Sequence, residues 1–84
     1  MSNREYKPTL AQIRTFVTVA EQKHFVSAAA KLGISQPSLS QALASLENGL
    51  GLQLIERSTR RVIVTPTGEA LLPYAKATLD AADA

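Results

Sequence analysis

The chain has 84 residues and a net charge of +2, a length that fits one small domain. Hydrophobic residues make up 45% of the chain, a normal share for a folded core, which argues against disorder. Cysteine is absent, so disulfides, thiolate chemistry and cysteine-ligated zinc are excluded. The sequence has neither an apolar run of the ~20 residues that span a membrane nor the apolar core of a signal peptide, which predicts a cytoplasmic protein.

The charge is unevenly distributed. Residues 1–64 carry eight Lys and Arg against four Asp and Glu, a balance of +4. Residues 65–84 carry one Lys against three acids, a balance of −2. The basic part of the chain is therefore compatible with contacts to phosphate, although such a modest bias does not demonstrate them.

The first predicted helix follows a lead-in, residues 1–8, which we expect to be flexible. Thr9 and Gln12 form a T-x-x-Q capping box, so the helix should begin there and run to about Gln22. Five apolar residues recur at helical spacing and predict one buried face: Leu10, Ile13, Phe16, Val17 and Ala20.

Two short helices joined by a tight turn are predicted next. A connector over residues 23–25 should drop Phe25 into the core, and the second helix should cover residues 26–32. Gly33 suits the left-handed position that ends a helix. Ser35 is the expected N-cap of a third helix, and Pro37 falls in its first turn. This pattern is typical of a helix-turn-helix.

The third helix, about residues 35–50, has two different faces. A leucine seam lies on one side at positions 39, 43, 46 and 50. The opposite side carries small, amide and hydroxyl groups without charge: Pro37, Ser38, Gln41, Ala44, Ser45 and Asn48. Groups of this kind can read base edges in a DNA major groove.

Residues 54–64 predict a two-stranded hairpin with Arg57, Arg60 and Arg61 at or near its tip. Thr65 should then cap a fourth helix, with Pro66 at its first position and Pro73 kinking it. The chain ends within that helix's apolar pattern, as expected of a truncation. The predicted fold class is mainly α: a winged helix-turn-helix, with a three-helix core and a two-stranded wing, followed by a long dimerisation or linker helix.

Several motifs in order resemble the DNA-binding domain of LysR-type transcriptional regulators. They are F-x-x-A-A-x-x-L at residues 25–32, S-Q-P-S-L-S at 35–40, L-E-x-x-L-G-x-x-L-I-E-R at 46–57 and T-P-T-G at 65–68. The resemblance implies a winged helix-turn-helix over residues 9–65 and a linker helix over 66–84 that pairs two subunits. In that family an effector-sensing domain follows, and we expect it to lie outside these 84 residues. Residues 21–25 and 56–62 are similar to the peroxide-sensing branch of the family.

The resemblance also implies which residues meet DNA. Carried over position by position, these are Gln36, Pro37, Ser38, Ser40 and Gln41 in the major groove, with Arg57 at the wing base and Arg60 in the minor groove. The sequence departs from the family pattern in two places. Gln41 stands where many members have arginine, which puts base preference there in doubt, and Asn48-Gly49 replaces better helix formers, softening the helix end by about 1 kcal/mol.

Each candidate residue also has a plainer interpretation. The polar cluster at residues 35–41 could merely solvate a surface helix, and the arginines, including Arg61, could protect a hairpin edge from pairing. Ser27 could donate to a phosphate or act as a local cap with equal plausibility. The stripe of Leu72, Ala75 and Leu79 could pack on its own domain or pair with a second copy, and we favour pairing. His24 has no partner residues that would give it a catalytic or metal-binding role.

The sequence therefore predicts a sequence-specific binder of double-stranded DNA that acts as a dimer on a partly palindromic site. Tetramers are possible for a longer protein. We expect no enzymatic activity, cofactor, metal or membrane partner. A winged-helix protein-interaction module is the main alternative, and a molybdate-responsive regulator with a similar N-terminal domain is a closer one.

Overall fold

A computed structural model describes residues 6–57 and 61–84. The elements in chain order are α1 (Leu10–Gln22), α2 (Phe25–Leu32), α3 (Gln36–Leu50), β1 (Ile55–Glu56), β2 (Ile63–Val64) and α4 (Pro66–Asp83). The two strands pair antiparallel, with Ile55 opposite Val64 and Glu56 opposite Ile63. The predicted winged helix-turn-helix is confirmed. Arg60, at the predicted wing tip, lies outside the described residues.

The first helix begins as its capping box predicts. Thr9 Oγ1 accepts a hydrogen bond from Gln12 N at 3.1 Å, and Gln12 Oε1 accepts one from Thr9 N at 3.0 Å. The helix ends at Lys23, whose φ of 63° is left-handed. The second helix begins at Phe25, one residue earlier than predicted, because the extended backbone of His24 serves as the N-cap. Phe25 packs partly buried against the core, as expected.

The turn between α2 and α3 is made by Gly33, whose left-handed φ of 69° is the conformation that favours glycine. Ile34 N donates to Ala29 O at 3.1 Å across this turn. Ser35 then caps α3, accepting from Ser38 N at 3.2 Å. The turn therefore fixes the direction in which α3 leaves α2.

The core surrounds α1. All residues from Thr15 to Ala20 are buried, including Val19, which lies off the predicted stripe. The reason is that α1 contacts α2, α3 and α4, so this stretch is covered on every side. Leu10, by contrast, is exposed at the helix start, although the stripe predicted it buried. From α3 the core receives Leu39, Leu43 and Leu46, and from the wing side Leu54 and Ile55.

The fourth helix packs back onto the domain. Thr65 Oγ1 caps it by accepting from Gly68 N at 3.0 Å, and the helix continues through Pro73 to Asp83 as one element. Two exposed ion pairs tie α4 to α1: Arg14–Asp83 at 2.8 Å and Lys76–Glu21 at 3.3 Å. The hydrogen bond from Arg14 lowers the pKa of Asp83, so this stabilisation is present at neutral pH and is lost as the pH falls through that lowered value.

The predicted pairing stripe of α4 is mostly buried within the domain. Ala75 and Leu79 are each 7% exposed and belong to the core, while Leu72 is partly buried against it. These apolar side chains seat α4 on its own domain. The stripe therefore packs on its own domain, which was the alternative to pairing. A pairing surface on α4 would have to lie on another face of the helix.

Within the expected lead-in, Tyr6 has a defined place against α3. Its ring lies over Gly49, where an added Cβ would come within 2.2 Å of the ring. The Tyr6 hydroxyl donates to Gln12 Oε1 at 2.8 Å, next to the capping box. Gly49 thus admits the tyrosine ring, and α3 nevertheless stays helical through this residue to Leu50.

Candidate nucleic-acid interface

The first turns of α3 present the predicted polar groups to solvent. Every candidate in this segment is exposed: Ser35, Gln36, Pro37, Ser38, Ser40 and Gln41. They are exposed because Leu39 and Leu43 turn the opposite side of the helix into the core, where both are 0% exposed. The structure therefore brings these six residues together on one surface.

Hydrogen bonding divides this surface into occupied and available groups. Ser35 Oγ donates to Ser38 Oγ at 2.9 Å while it caps the helix, so these two hydroxyls are linked to each other. Pro37 has no N–H to offer. The long amide side chains of Gln36 and Gln41 extend from the same surface, and each can both donate and accept.

The C-terminal half of α3 contains a residue that sequence reasoning missed. Glu47 is the helix's single charged residue, and its side chain is 10% exposed. Its Oε2 accepts from Leu54 N at 2.7 Å and from Ile55 N at 3.0 Å, and its Oε1 accepts from Arg57 Nη2. Glu47 and Arg57 both belong to the L-E-x-x-L-G-x-x-L-I-E-R motif, ten residues apart. A charged residue within the leucine seam of α3 was the sequence signal that could have identified Glu47.

The wing is anchored on both of its strands. Glu47 holds the β1 side, and Val62 N donates to Lys23 O at 3.1 Å on the β2 side. Thr65 N donates to Leu54 O at 3.0 Å, and Thr65 Oγ1 donates to Gln53 O at 2.6 Å, which closes the base of the hairpin. Gly68 packs below this base, where a Cβ would lie 2.4 Å from Leu54 O.

The remaining candidates lie on different parts of the surface. Arg61 is exposed beside β2, Ser27 is exposed in the first turn of α2, and Arg57 is engaged with Glu47. Among the described residues there is no group of three His, Asp or Glu side chains that could hold a metal ion. The helices described in residues 6–57 and 61–84 are also too short or too polar to cross a membrane.

A family model described as "Bacterial regulatory helix-turn-helix protein, lysR family" matches residues 10–69. The chain belongs to this family. A protein of Mycobacterium xenopi named "Probable hydrogen peroxide-inducible genes activator" is 61% identical over all 84 residues, which cover 44% of that protein. The expected resemblance to the peroxide-sensing branch is thus confirmed as a similarity.

Solved structures agree with this assignment. The oxidised form of Corynebacterium glutamicum OxyR is 77% identical, with a TM-score of 0.95 over 99% of this chain and 26% of that one. A complex of the BenM DNA-binding domain with the benA site 1 DNA is 44% identical, with a TM-score of 0.85 over 89% of this chain and 87% of that one. This LysR-family chain spans less than half the length of the curated relative from M. xenopi.

Proposed function

We propose that this LysR-family domain binds double-stranded DNA sequence-specifically and is the DNA-binding part of a transcriptional regulator. One observation carries the proposal: the first turns of α3 form an exposed, uncharged, hydrogen-bonding surface, in a domain whose wing carries the exposed Arg61. Amide side chains can pair with base edges in a major groove, which a merely solvating surface does not require. The similarity to a domain solved in complex with DNA supports the same conclusion.

In the proposed complex, α3 enters the major groove and presents Gln36, Ser40 and Gln41 to the bases. The wing lies over the flanking minor groove, where Arg60 reaches in and Arg61 contacts the backbone. Ser27, at the start of α2, donates to a phosphate at the groove edge. Phosphate contacts set the register, and the α3 amides carry the sequence preference.

We propose that two copies pair through the outward face of α4. Ala70, Tyr74, Ala77 and Ala81 follow each other at steps of four, three and four residues, so they form one seam, and all four are exposed. Tyr74 is 73% exposed, the highest value among the large apolar side chains described. Two domains paired in this way would present two α3 helices to half-sites about 34 Å apart on a partly palindromic site.

In the whole protein we expect a separate effector domain to regulate the DNA-binding domain. Tetramers are possible for that longer protein. The names of the mycobacterial relatives favour hydrogen peroxide as the signal. Because a transcriptional regulator acts on DNA, we propose a cytoplasmic location and expect no catalysis by the protein itself. A winged-helix protein-interaction module remains the alternative; it predicts apolar or acidic groups on the outer face of α3, where this chain has amides and hydroxyls.

Selection from a randomised DNA pool, repeated over a series of salt concentrations, tests the proposed function. We expect enrichment of a two-fold symmetric site with half-sites one helical turn apart. Weak, salt-sensitive binding to all sequences without enrichment would overturn sequence-specific DNA binding and favour the interaction module.

A further inference from the structure

Glu47 occupies a position where a carboxylate is unexpected. It lies on the core side of α3, one residue after Leu46, and the rest of the helix carries no charge. Burying a carboxylate is unfavourable unless it is hydrogen-bonded and paired, and an apolar residue of similar volume often stabilises a fold as well or better. Stability alone therefore gives little reason for an acid at this position.

The partners of Glu47 show what the carboxylate accomplishes. Two of them are backbone N–H groups, at Leu54 and at Ile55, the first residue of β1. The Glu47 carbonyl oxygen accepts from Gly51 N at 2.8 Å and from Leu52 N at 3.1 Å. One residue of α3 thus holds four backbone donors between residues 51 and 55, so it fixes the path of the chain from α3 into the wing.

Arg57 completes this arrangement. Its guanidinium donates to Glu47 Oε1 from the end of β1, and its side chain is 37% exposed. A guanidinium paired with a buried carboxylate has less of its charge available to an external phosphate. We expect Arg57 to act through the wing backbone, which leaves Arg60 and Arg61 as the DNA-contacting arginines of the wing.

We propose that Glu47 is a positioning residue that, together with its counter-ion Arg57, holds the wing at a fixed place relative to α3. The inference rests on the proposed DNA binding. A domain that must reach a major groove and the adjacent minor groove together loses less conformational freedom on binding when the two elements are already held in register. Sequence preference in the flank read by the wing would then depend on Glu47, although Glu47 itself never touches DNA.

The sign of the charge change makes Glu47→Gln a sharp test. The substitution removes one negative charge, so simple electrostatics predicts tighter binding to any DNA. A positioning role predicts the opposite at the specific site: loss of about tenfold in the preference for the selected flanks over G·C-rich flanks, with the preference at base pairs read by α3 retained. Glu21→Gln is the matched control, because it removes the same charge from an exposed pair with Lys76.

The experiment measures the affinity of each variant for three duplexes: the selected site, the site with altered flanks, and the site with altered α3 base pairs. Arg57→Gln and the double variant Glu47→Gln/Arg57→Gln are measured in parallel, with thermal unfolding to establish that each is folded. We expect both single variants to lose flank preference and the double variant to lose little more. If Glu47→Gln does not fold, the exposed partner variant Arg57→Gln carries the same test.

Unchanged flank preference in folded Glu47→Gln would overturn the positioning role. So would an equal loss on all three duplexes in Arg57→Gln with a smaller salt slope, which would make Arg57 a phosphate contact. Failure of the wild-type chain to select any sequence would instead contradict the proposed DNA binding itself, so the two failures are distinguishable.

Discussion

Gln36 lies at the first position of α3, where its amide extends from the exposed surface beyond Ser35. A glutamine amide can pair with adenine through two hydrogen bonds, which contribute about 1–3 kcal/mol of discrimination against other bases. At the scale of single residues, this surface owes its chemistry to amides rather than to charge, so it should favour particular bases more than it favours DNA in general.

Gln36→Ala should therefore weaken binding to the selected site by about 10-fold or more and leave binding to scrambled DNA nearly unchanged. Competitive binding measurements on the two duplexes check this. Gln22→Ala is the control, because it removes the same amide from the end of α1, outside the polar surface of α3. Equal losses on both duplexes would contradict base reading by Gln36.

Gly49 and Tyr6 offer a second residue-scale prediction. Gly49→Ala should destabilise the wild-type domain by roughly 1–2 kcal/mol, because the new methyl group displaces the Tyr6 ring. In a Tyr6→Ala background the same substitution should stabilise by about 1 kcal/mol, because alanine favours the helix and nothing is displaced. Denaturant unfolding of the four proteins checks this reversal of sign, and a destabilising effect in both backgrounds would count against the contact.

At the scale of elements, α4 has one buried face and one exposed face. Ala75 and Leu79 seat the helix on its own domain, and two exposed ion pairs with α1 flank that contact. The seam of Ala70, Tyr74, Ala77 and Ala81 faces away from the domain. Small residues on a seam allow two helices to approach closely, so a charge introduced there should oppose pairing.

Ala77→Glu should lower the affinity for a full two-fold site by about tenfold while leaving the affinity for a single half-site unchanged. Ala82→Glu is the matched control, since it places the same charge on an exposed residue of α4 roughly 140° around the helix. Titration of each variant against full-site and half-site duplexes checks this. Equal behaviour of the two variants would show that the seam is not the pairing surface.

At the scale of the whole molecule, charge and shape act together. The basic balance of +4 lies in residues 1–64, with the helix-turn-helix and wing, while α4 lies in the acidic remainder. The domain measures 32 × 31 × 21 Å, so one copy spans about one turn of a DNA duplex. We expect this distribution to turn the basic elements, rather than α4, toward a polyanion.

Arg60→Ala should lower DNA affinity and reduce the slope of log affinity against log salt by about 0.9, the value for one phosphate contact on duplex DNA. Arg14→Gln removes the same charge from an exposed α1–α4 pair and serves as the control. Binding measured between about 50 and 200 mM salt checks this. An unchanged slope in Arg60→Ala would refute contact between Arg60 and phosphate or groove.

Much of the domain follows from local sequence signals. The capping box at Thr9, the turn at Gly33, the caps at Ser35 and Thr65 and the leucine seam of α3 each act within a few residues, and the structure contains all of them. The polar surface of α3 was predictable for the same reason, since burying one side of a helix exposes the other. These features depend on backbone conformation and helical spacing, which a short stretch of sequence determines.

Other features depend on which elements meet, and only the tertiary structure decided them. The burial of Val19 required three helices around α1, and the inward turn of Ala75 and Leu79 required α4 to fold back on α1. Glu47 and Arg57 lie ten residues apart, and they meet only because β1 lies beside α3 in the folded domain. The sequence of an apolar stripe does not show which surface it packs against, and a carboxylate does not show which groups donate to it. Both depend on residues that are distant in the sequence.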